Sequence, residues 1–215
     1  YDIIIVDRLD FRLDENFKKT RLSDDRVSFY QKDIRELDFM DELINENDFV
    51  VNLAALVGES LCKLKPKEAV EVNYEAAKDI ANLCKKKNVK KFIQLSTCSN
   101  YGQAKEMVNE DGKLFPTSLY AETKVNLEKY LLENVPSSVI LRCATAYGLS
   151  IGRMRFDLLV SDFIKEAWTK GEINVFKPEV HRPIVHVSDI SNAILLCIEN
   201  TKKISRVFNV GSSNQ

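Results

Sequence analysis

Three side chains in this sequence form a set that could move a proton at a hydroxyl group. Thr97 lies in the segment Ser96-Thr97-Cys98-Ser99, and the pair Tyr120 and Lys124 follows with the spacing Tyr-x-x-x-Lys. A nearby cation favours the phenolate, so we expect Lys124 to lower the pKa of Tyr120. A phenol tuned in this way acts as a general acid or base near neutral pH. Beside a nicotinamide cofactor, the set would interconvert an alcohol and a ketone by hydride transfer.

The Tyr-x-x-x-Lys spacing alone is weak evidence, because it occurs three times, at Tyr74 and Lys78, Tyr101 and Lys105, and Tyr120 and Lys124. This spacing places both side chains on one helix face, but it arises by chance in a Lys-rich chain. Tyr74 lies inside an amphipathic run, and Tyr101 precedes a glycine in a turn. Only Tyr120 opens a predicted helix after a strand that ends in small hydroxyl residues. This context favours Tyr120 and Lys124 as the functional pair.

Composition excludes several classes of protein. The chain has 215 residues, 31 Lys and Arg against 32 Asp and Glu, and a net charge of −1, which gives no signature for nucleic acid or an anionic membrane. No apolar run reaches the ~18 residues of a membrane span. The five cysteines are widely separated and only two histidines accompany them. We therefore predict reduced core cysteines, no metal site and a cytoplasmic location.

Short β-branched runs alternate with helical patterns along the chain, which predicts a parallel sheet wrapped by helices. The composition of residues 3–6 is that of a fully buried strand. Further extended segments are expected at 27–30, 49–55, 92–97, 138–141, 173–176, 185–187 and 207–210. Helices are expected at 66–87, 118–133, 156–169 and 189–199. The polar segment 102–116 is predicted to be a loop over an active site.

The end of the first predicted strand resembles a ribose-binding position. A carboxylate at Asp7 would accept both hydroxyls of an adenosine ribose and repel a 2′-phosphate, which favours NAD over NADP. Arg8 follows and could instead bind that phosphate, so the sequence leaves the choice between NAD and NADP open. The small residues at the end of the third strand, Leu53-Ala54-Ala55, would let a flat cofactor approach, or would allow close packing of helix on sheet.

The glycines lack the pattern of a dinucleotide-binding turn. The seven glycines form neither Gly-x-Gly-x-x-Gly nor Gly-x-x-Gly-x-x-Gly. A dinucleotide fold places a strand, such a turn and a helix ahead of the strand that carries the ribose-binding acid. We therefore expect roughly 25–30 residues to precede Tyr1, and a further segment to follow Gln215.

The motifs, taken together and in order, resemble the extended short-chain dehydrogenase/reductase superfamily, in its NAD-dependent nucleotide-sugar epimerase/dehydratase branch. The matching stretches cover nearly the whole chain: 6–7, 32–34, 52–60, 72–77, 96–102, 120–124, 141–148, 153–160, 182–187 and 208–211. The resemblance implies an α/β fold with a doubly wound parallel sheet of the Rossmann type. Residues 1–215 would form one incomplete NAD-binding domain, and 149–183 would contribute to a small substrate lobe.

The resemblance also implies roles for single residues. In catalysis Thr97 would hydrogen-bond the reacting sugar hydroxyl, Tyr120 would move its proton, and Lys124 would bind the nicotinamide ribose. The implied set around NAD, from adenosine ribose and adenine to nicotinamide, is Asp7, Asp33, Ile34, Leu53, Ala54, Ala55, Asn73, Tyr120 and Lys124. The implied contacts to the nucleotide-sugar substrate come from Thr97, from Arg182 at the diphosphate, and from Ser161, where relatives often carry an Asn.

One departure from the family pattern narrows the expected reaction. The 4,6-dehydratases of this family carry one or two acidic residues just after the hydroxyl residue, where this chain has Cys98 and Ser99. Dehydration is therefore not expected. The prediction is an epimerase that oxidises a nucleotide-activated sugar transiently to a keto-sugar and reduces it again. A net 4-dehydrogenase or keto-sugar reductase is the alternative. A non-catalytic NAD-binding scaffold or sensor is a distant one, because Tyr120 and Lys124 are both present.

The resemblance further implies a homodimer, formed by the helices at 66–87 and 118–133 and their two-fold mates. The first helix offers small residues, and the second offers larger apolar ones: Ala69, Ala76, Ala77 and Ala81, and Leu119, Val125, Leu127, Leu131 and Leu132. One face of each helix must cover the sheet, so only the remainder would be available to a partner. The alternative is that all these residues pack inside the chain.

Overall fold

The computed structural model describes residues 1–10, 24–103, 106–150, 154–175, 180–200 and 206–212. Every strand pairing in these segments is parallel. The strands are β1 (Ile3–Val6), β2 (Val27–Tyr30), β3 (Phe49–Asn52), β4 (Lys91–Thr97), β5 (Ser138–Cys143), β6 (Thr145–Tyr147), β7 (Ile184–His186) and β8 (Val207–Val210). The largest sheet has the order β3-β4-β5-β8, and β1-β2 and β6-β7 form separate pairs.

Helices separate most of the strands, which confirms the predicted α/β fold. They are α1 (Leu37–Leu43), α2 (Glu59–Leu64), α3 (Pro66–Val70), α4 (Ala77–Lys86), α5 (Leu119–Asn134), α6 (Leu159–Lys170) and α7 (Val187–Glu199). A π-helical turn at Glu71–Ala76 joins α3 to α4, and a 3₁₀ turn at Cys98–Tyr101 follows β4. No helix in the described segments is long and apolar enough to cross a membrane.

The four-stranded sheet is covered on both faces, as a doubly wound fold requires. Phe92 packs in one apolar cluster with residues of α3, α4 and α5, whereas its neighbour Ile93 packs in a second cluster with residues of α7. In β5, Ile140 packs in the first cluster and Leu141 packs in the second. Successive side chains of a strand point to opposite faces, so these two pairs show directly that both faces of the sheet are buried.

The prediction that residues 3–6 form a fully buried strand is wrong in its burial. The strand forms, but Ile3 and Ile4 are each 50% exposed. In the described segments β1 pairs with β2 alone and does not join the four-stranded sheet by hydrogen bonds. A two-stranded ribbon leaves more of its side-chain surface open than a strand between two neighbours.

The predicted helix at 66–87 is present, but a π-helical turn interrupts it, which the apolar pattern does not reveal. The helix predicted at 156–169 begins later, at Leu159, and α7 begins at Val187 directly after β7. The third strand ends at Asn52, before the predicted limit at residue 55. Residues 173–175 have no regular structure, and 176 lies outside the described residues. The sequence patterns did not predict α1, α2 or β6.

Most of the residues predicted for a dimer interface pack inside the chain. Each of the four alanines is at most 4% exposed, and so are Val125, Leu127 and Leu131. The small side chains let α4 and the π-helical turn lie close to α5. Among the residues named for a partner, only Leu132 is exposed, and Val70 lies beside them on α3. Internal packing, the stated alternative, therefore accounts for most of this surface.

Candidate active site

Thr97 is the last residue of β4, at the carboxyl edge of the four-stranded sheet. It is buried, and its Oγ1 accepts a hydrogen bond from the Ser99 N–H at 3.1 Å. This bond caps the 3₁₀ turn that follows. In the parallel register Thr97 lies opposite Cys143, the last residue of β5. The carboxyl edge of a parallel sheet is where ligands bind in folds of this type, and the turn fixes the Thr97 hydroxyl there.

The first two turns of α5 carry the other two predicted catalytic residues. Ser118 caps the helix, since its Oγ accepts the Ala121 N–H at 3.3 Å. Tyr120 and Lys124 then share one helix face, with the Lys124 Nζ 5.8 Å from the centre of the Tyr120 ring. The same Nζ donates to the main-chain oxygen of Leu95 at 3.1 Å. Leu95 lies two residues before Thr97, so this bond joins the helix pair to the end of β4.

The other described Tyr–Lys pair provides an internal comparison. Lys78 lies over the ring of Tyr74 at 5.2 Å, a geometry similar to that of Tyr120 and Lys124. The ammonium of Lys78, however, is about a quarter exposed and is bound to Glu75. Lys124 is only 3% exposed. Burial therefore separates the two pairs, as the sequence context predicts. The third pair cannot be compared, because Lys105 lies outside the described residues.

Burial changes the protonation of both members of the pair. It raises the pKa of the Tyr120 phenol well above its ordinary value, and the nearby thiols of Cys62, Cys143 and Cys98 act in the same direction. The predicted lowering of the Tyr120 pKa by Lys124 is therefore wrong for this structure, because loss of hydration dominates. Burial also lowers the pKa of Lys124 to about 8, against the opposing effect of Glu128.

A buried polar network lies next to Tyr120 and Lys124, and sequence reasoning did not identify it. Glu128, one helical turn after Lys124, accepts hydrogen bonds from Ser96 Oγ and from Asn100 Nδ2, the latter at 2.7 Å. It also forms an ion pair with Arg142 of β5, at 2.7 Å between Nη2 and Oε2. Both side chains are at most 5% exposed. The network therefore ties α5, β4 and β5 together next to Thr97.

The same arginine connects the site to the loop that follows β4. Arg142 Nη1 donates to the Tyr101 hydroxyl at 2.7 Å and to the main-chain oxygen of Glu110 at 3.0 Å. The Tyr101 hydroxyl donates to Asn209 Oδ1 at 2.7 Å, and the Asn209 N–H donates to the Glu110 carboxylate at 2.7 Å. The predicted loop over the site is thus anchored to β5 and β8.

A cavity of about 990 Å³ contains most of the predicted nucleotide-binding residues. Its walls come from the segments after β1, β2 and β3, and they include Asp7, Asp33, Ile34, Ala54 and Ala55. Leu53 is not in these walls and is 57% exposed, so its place against the cofactor stays a prediction. The chain leaves β3 at Asn52, which turns Leu53 outward while the two alanines face inward.

Asn73, named above in the set around NAD, holds the segment after β3 through its side-chain amide. It is fully buried, and its amide accepts the Leu56 N–H at 2.7 Å and donates to the Leu56 carbonyl at 3.0 Å. Leu56 lines the cavity, and its carbonyl also accepts from the Cys62 thiol at 3.4 Å. Cys62 is close enough to Lys124 to feel its charge. The cavity wall and the catalytic helix are therefore neighbours.

The two predicted substrate residues have different environments. Arg182 is exposed, and its charge acts on the thiol of Cys98, which places it near the end of β4. Ser161 lies in the first turn of α6 and is buried. The cavity wall also contains Gly58 and Arg155, to which the sequence analysis assigned no role. Gly58 has φ = +100°, a conformation that favours glycine, so the signal for this position in the sequence was the glycine itself.

Comparison with known proteins agrees with this geometry. Residues 1–211 match the model of the NAD dependent epimerase/dehydratase family. The match covers nearly the whole chain, and the chain therefore belongs to this family. Its fold and its cofactor class are accordingly those of an NAD-dependent member of the extended short-chain dehydrogenase/reductases.

Individual relatives are distant in sequence. The UDP-glucose 4-epimerase of Rickettsia canadensis is 23% identical over 185 residues, which cover 85% of this chain and 50% of that protein. The ADP-L-glycero-D-manno-heptose-6-epimerase of Brachyspira hyodysenteriae is 26% identical over 228 residues, with 99% and 69% covered. This chain thus spans half the length of the Rickettsia protein.

The fold is also similar to solved structures. The UDP-glucuronic acid 4-epimerase of Bacillus cereus, crystallised with UDP-glucuronic acid and NAD, superposes with a TM-score of 0.86 at 25% identity. The superposition covers 100% of this chain and 70% of that one.

Across the described segments, no group of three or more His, Cys, Asp or Glu side chains could hold a metal ion.

The buried ammonium of Lys124 leads to a stability prediction. The folded pKa of about 8 lies below the ordinary 10.5, so folding costs free energy while the group is protonated. That cost is fully present below about pH 8 and disappears as the pH rises towards 10.5. Lys124→Met should therefore raise the free energy of unfolding by about 1–3 kcal/mol at pH 7, after loss of the Leu95 hydrogen bond is included.

Urea unfolding of both proteins at pH 7 and pH 10 measures this effect. The difference between variant and wild type should shrink at the higher pH. Lys78→Met, at the exposed pair, is the matched control and should change stability by less than about 0.5 kcal/mol at either pH. A Lys124→Met protein that is less stable than wild type at pH 7 would contradict the inferred cost of burying the ammonium.

Proposed function

We propose that the protein containing this chain is an NAD-dependent epimerase of nucleotide-activated sugars, which works through a transient keto-sugar. One observation carries the proposal: the buried Lys124 contacts both the ring of Tyr120 and the end of β4, where Thr97 is held by its turn. These are the groups that proton transfer at a sugar hydroxyl requires, and they lie beside the nucleotide cavity.

The walls of the cavity fit the adenosine end of NAD. Asp7 follows a parallel strand, where a carboxylate suits the ribose hydroxyls. Ile34 is apolar and 9% exposed, and together with Asp33 it offers one apolar and one polar group for an adenine. Ala54 and Ala55 leave room for a flat ligand, and Asn73 holds the following Leu56. A volume of about 990 Å³ is within the range of cofactor pockets.

The protein's own contribution is proton transfer and positioning. When bound, NAD supplies reversible hydride transfer to and from a sugar carbon. In the proposed reaction the Tyr120 oxygen takes the proton of the reacting hydroxyl and returns it to the same oxygen when the keto-sugar is reduced on its opposite face. This requires that the bound cofactor and substrate lower the pKa of the phenol, which burial raises in this structure. Thr97 donates a hydrogen bond to that oxygen. Lys124 places its ammonium 5.8 Å from the centre of the Tyr120 ring, and its own pKa of about 8 keeps most of its charge at neutral pH.

The residues after Thr97 favour epimerisation over loss of water. Cys98 and Ser99 stand where a dehydratase of this family needs a carboxylate. Burial raises the pKa of the Cys98 thiol, so that it stays protonated and cannot replace a carboxylate as a base. Arg182 near this thiol provides a guanidinium for the diphosphate of the substrate, and Ser161 is the second expected contact. The relatives named above, which include epimerases of UDP-glucose and UDP-glucuronic acid, support the same choice.

The first test of this function is the substitution Tyr120→Phe in the full-length protein. Loss of the phenol oxygen should lower kcat by about 10²–10⁴, while the dissociation constant for NADH changes little, because the ring still packs. Tyr74→Phe is the matched control, since Tyr74 also lies beneath a lysine ammonium, and it should retain wild-type turnover. A Tyr120→Phe enzyme with undiminished turnover would remove Tyr120 from the mechanism.

The assay itself separates the proposed reaction from its rivals. UDP-glucose, UDP-glucuronic acid and UDP-N-acetylglucosamine are each incubated with enzyme and an equimolar amount of NAD, and the products are resolved by chromatography. An epimerase forms the inverted sugar without net production of NADH. Stoichiometric NADH formation would instead identify a dehydrogenase, and full-length protein that binds cofactor but converts no sugar would favour a scaffold or sensor.

The homodimer remains a prediction. Val70 and Leu132 are the exposed apolar residues that we propose a second copy would cover on these helices. Light scattering of the full-length protein at micromolar concentration should give the mass of a dimer, and Leu132→Asp should shift it towards the monomer. Leu196→Asp, on the exposed part of α7, is the control and should leave the mass unchanged. A wild-type monomer with full activity would refute the dimer.

A further inference from the structure

The cations that line the nucleotide cavity are all paired with carboxylates. In the described part of the wall these cations are Arg8, Lys32 and Arg155. Lys32 is bound to Glu36 at 2.6 Å, and Arg155 donates to Asp157 at 2.8 Å. Arg8 is the cation next to Asp7, the proposed ribose-binding carboxylate, and it is the most heavily paired of the three.

Three carboxylates surround the Arg8 guanidinium. Its Nε donates to Asp10 at 2.8 Å, and its Nη1 donates to Glu68 at 2.7 Å and to Asp33 at 3.4 Å. Its Nη2 also donates to Asp10. Glu68 comes from α3, 60 residues further along the chain. We call Asp10, Asp33 and Glu68 the Arg8 clamp. Each nitrogen of the guanidinium is engaged by it.

The clamp has its own support, which keeps it in place. Asp33 is also bound by Arg35 at 2.8 Å, and this contact, with Arg8 adding to it, lowers the pKa of Asp33 to about 2. Glu68 also pairs with Lys65 at 3.0 Å. Three carboxylates therefore face the Arg8 guanidinium, and two of them, Asp33 and Glu68, are also held in place by Arg35 and Lys65.

This arrangement bears on the choice between NAD and NADP, which the sequence left open at Arg8. An arginine beside the ribose can bind a 2′-phosphate with a charge-assisted, bidentate contact. Here a phosphate would have to displace Asp10 or Glu68 from the guanidinium, and the displaced carboxylate would remain close to it. Asp7 would repel the phosphate as well. Both effects leave the adenosine ribose of NAD unaffected.

We propose that Glu68 and Asp10 are positioning residues for cofactor specificity, which hold Arg8 away from the ribose 2′-position and so exclude NADP. The inference rests on the proposed function, because it takes this cavity to be the cofactor site. It assigns the discrimination to two carboxylates as well as to Asp7. One of them, Glu68, lies on α3 and is remote in sequence from the strand end that carries Asp7 and Arg8.

The test is direct binding of reduced cofactors to the full-length protein. NADH and NADPH are titrated into wild type, Glu68→Gln, Asp10→Asn and the double variant, and binding is followed by nicotinamide fluorescence. Release of Arg8 should tighten NADPH binding by about tenfold in the double variant, the value of one charge-assisted contact. NADH binding should stay within about twofold. The single variants should lie between these limits, so a failure of one to fold leaves the other informative.

Two further variants separate release of Arg8 from a general change of charge. Glu71→Gln removes a carboxylate that pairs with Arg35 at 3.1 Å and leaves the Arg8 clamp intact. The ratio of the dissociation constants for NADH and NADPH should therefore not change. Adding Arg8→Ala to Glu68→Gln should abolish the gain for NADPH, which a merely structural role of Glu68 would not explain.

The outcomes are distinguishable from failure of the proposed function. Wild-type protein that binds neither cofactor would contradict the assignment of the cavity, and the inference would fall with it. A second outcome is that wild type binds NADH, but the ratio of the dissociation constants for NADH and NADPH is unchanged in Glu68→Gln, Asp10→Asn and the double variant. That result would overturn the inference and leave the proposed function standing. An equal gain for NADPH in Glu71→Gln would also overturn it, because net charge would then be the cause.

Discussion

The buried ion pair between Glu128 and Arg142 is the interaction around which this site is arranged. An ion pair with so little exposure is not a strong source of net stability, but removal of one partner leaves an uncompensated buried charge and typically costs about 3–5 kcal/mol. The free-energy penalty for burying both charges is offset here, because each group also uses its remaining hydrogen-bonding capacity. Glu128 also accepts from Ser96 and Asn100, and Arg142 also donates to Tyr101 and to the carbonyl of Glu110.

This network fixes the position of the proposed catalytic groups. Ser96 precedes Thr97 on β4, and Glu128 follows Lys124 by one turn of α5. A rotation of the helix or a shift of the strand would break hydrogen bonds to a buried carboxylate, which is far more costly than loss of a surface contact. The pair therefore fixes the strand that carries the hydroxyl relative to the helix that carries the phenol and the amine. The negative charge of Glu128 also opposes the loss of the proton from Lys124.

The alternation of strands and helices, and most of the residues of the candidate site, could be predicted from the sequence, because periodicity and spacing carry that information. The network could not, since Glu128 and Arg142 lie in amphipathic and buried segments where a charged residue has no distinctive pattern. The end of the third strand was predicted three residues too late, at 55 and not at Asn52, because small residues at a strand end do not show where the strand stops. The direction of the Tyr120 pKa was wrong because a helical spacing reports a nearby cation but not the extent of burial. For the Arg8 clamp, the partner Glu68 is remote in sequence, so only the folded chain reveals it.

The central claim is that the chemistry is a transient oxidation at one sugar carbon, with the proton handled by Tyr120. Proton NMR of the reaction in D₂O, with full-length enzyme, catalytic NAD and the nucleotide sugar found to be converted, tests this most directly. The expected product is an inverted sugar that keeps its own hydrogen at the reacting carbon, since the hydride never exchanges with solvent. Deuterium at that carbon would contradict it, because the hydrogen would then have left as a proton and no hydride transfer would be needed.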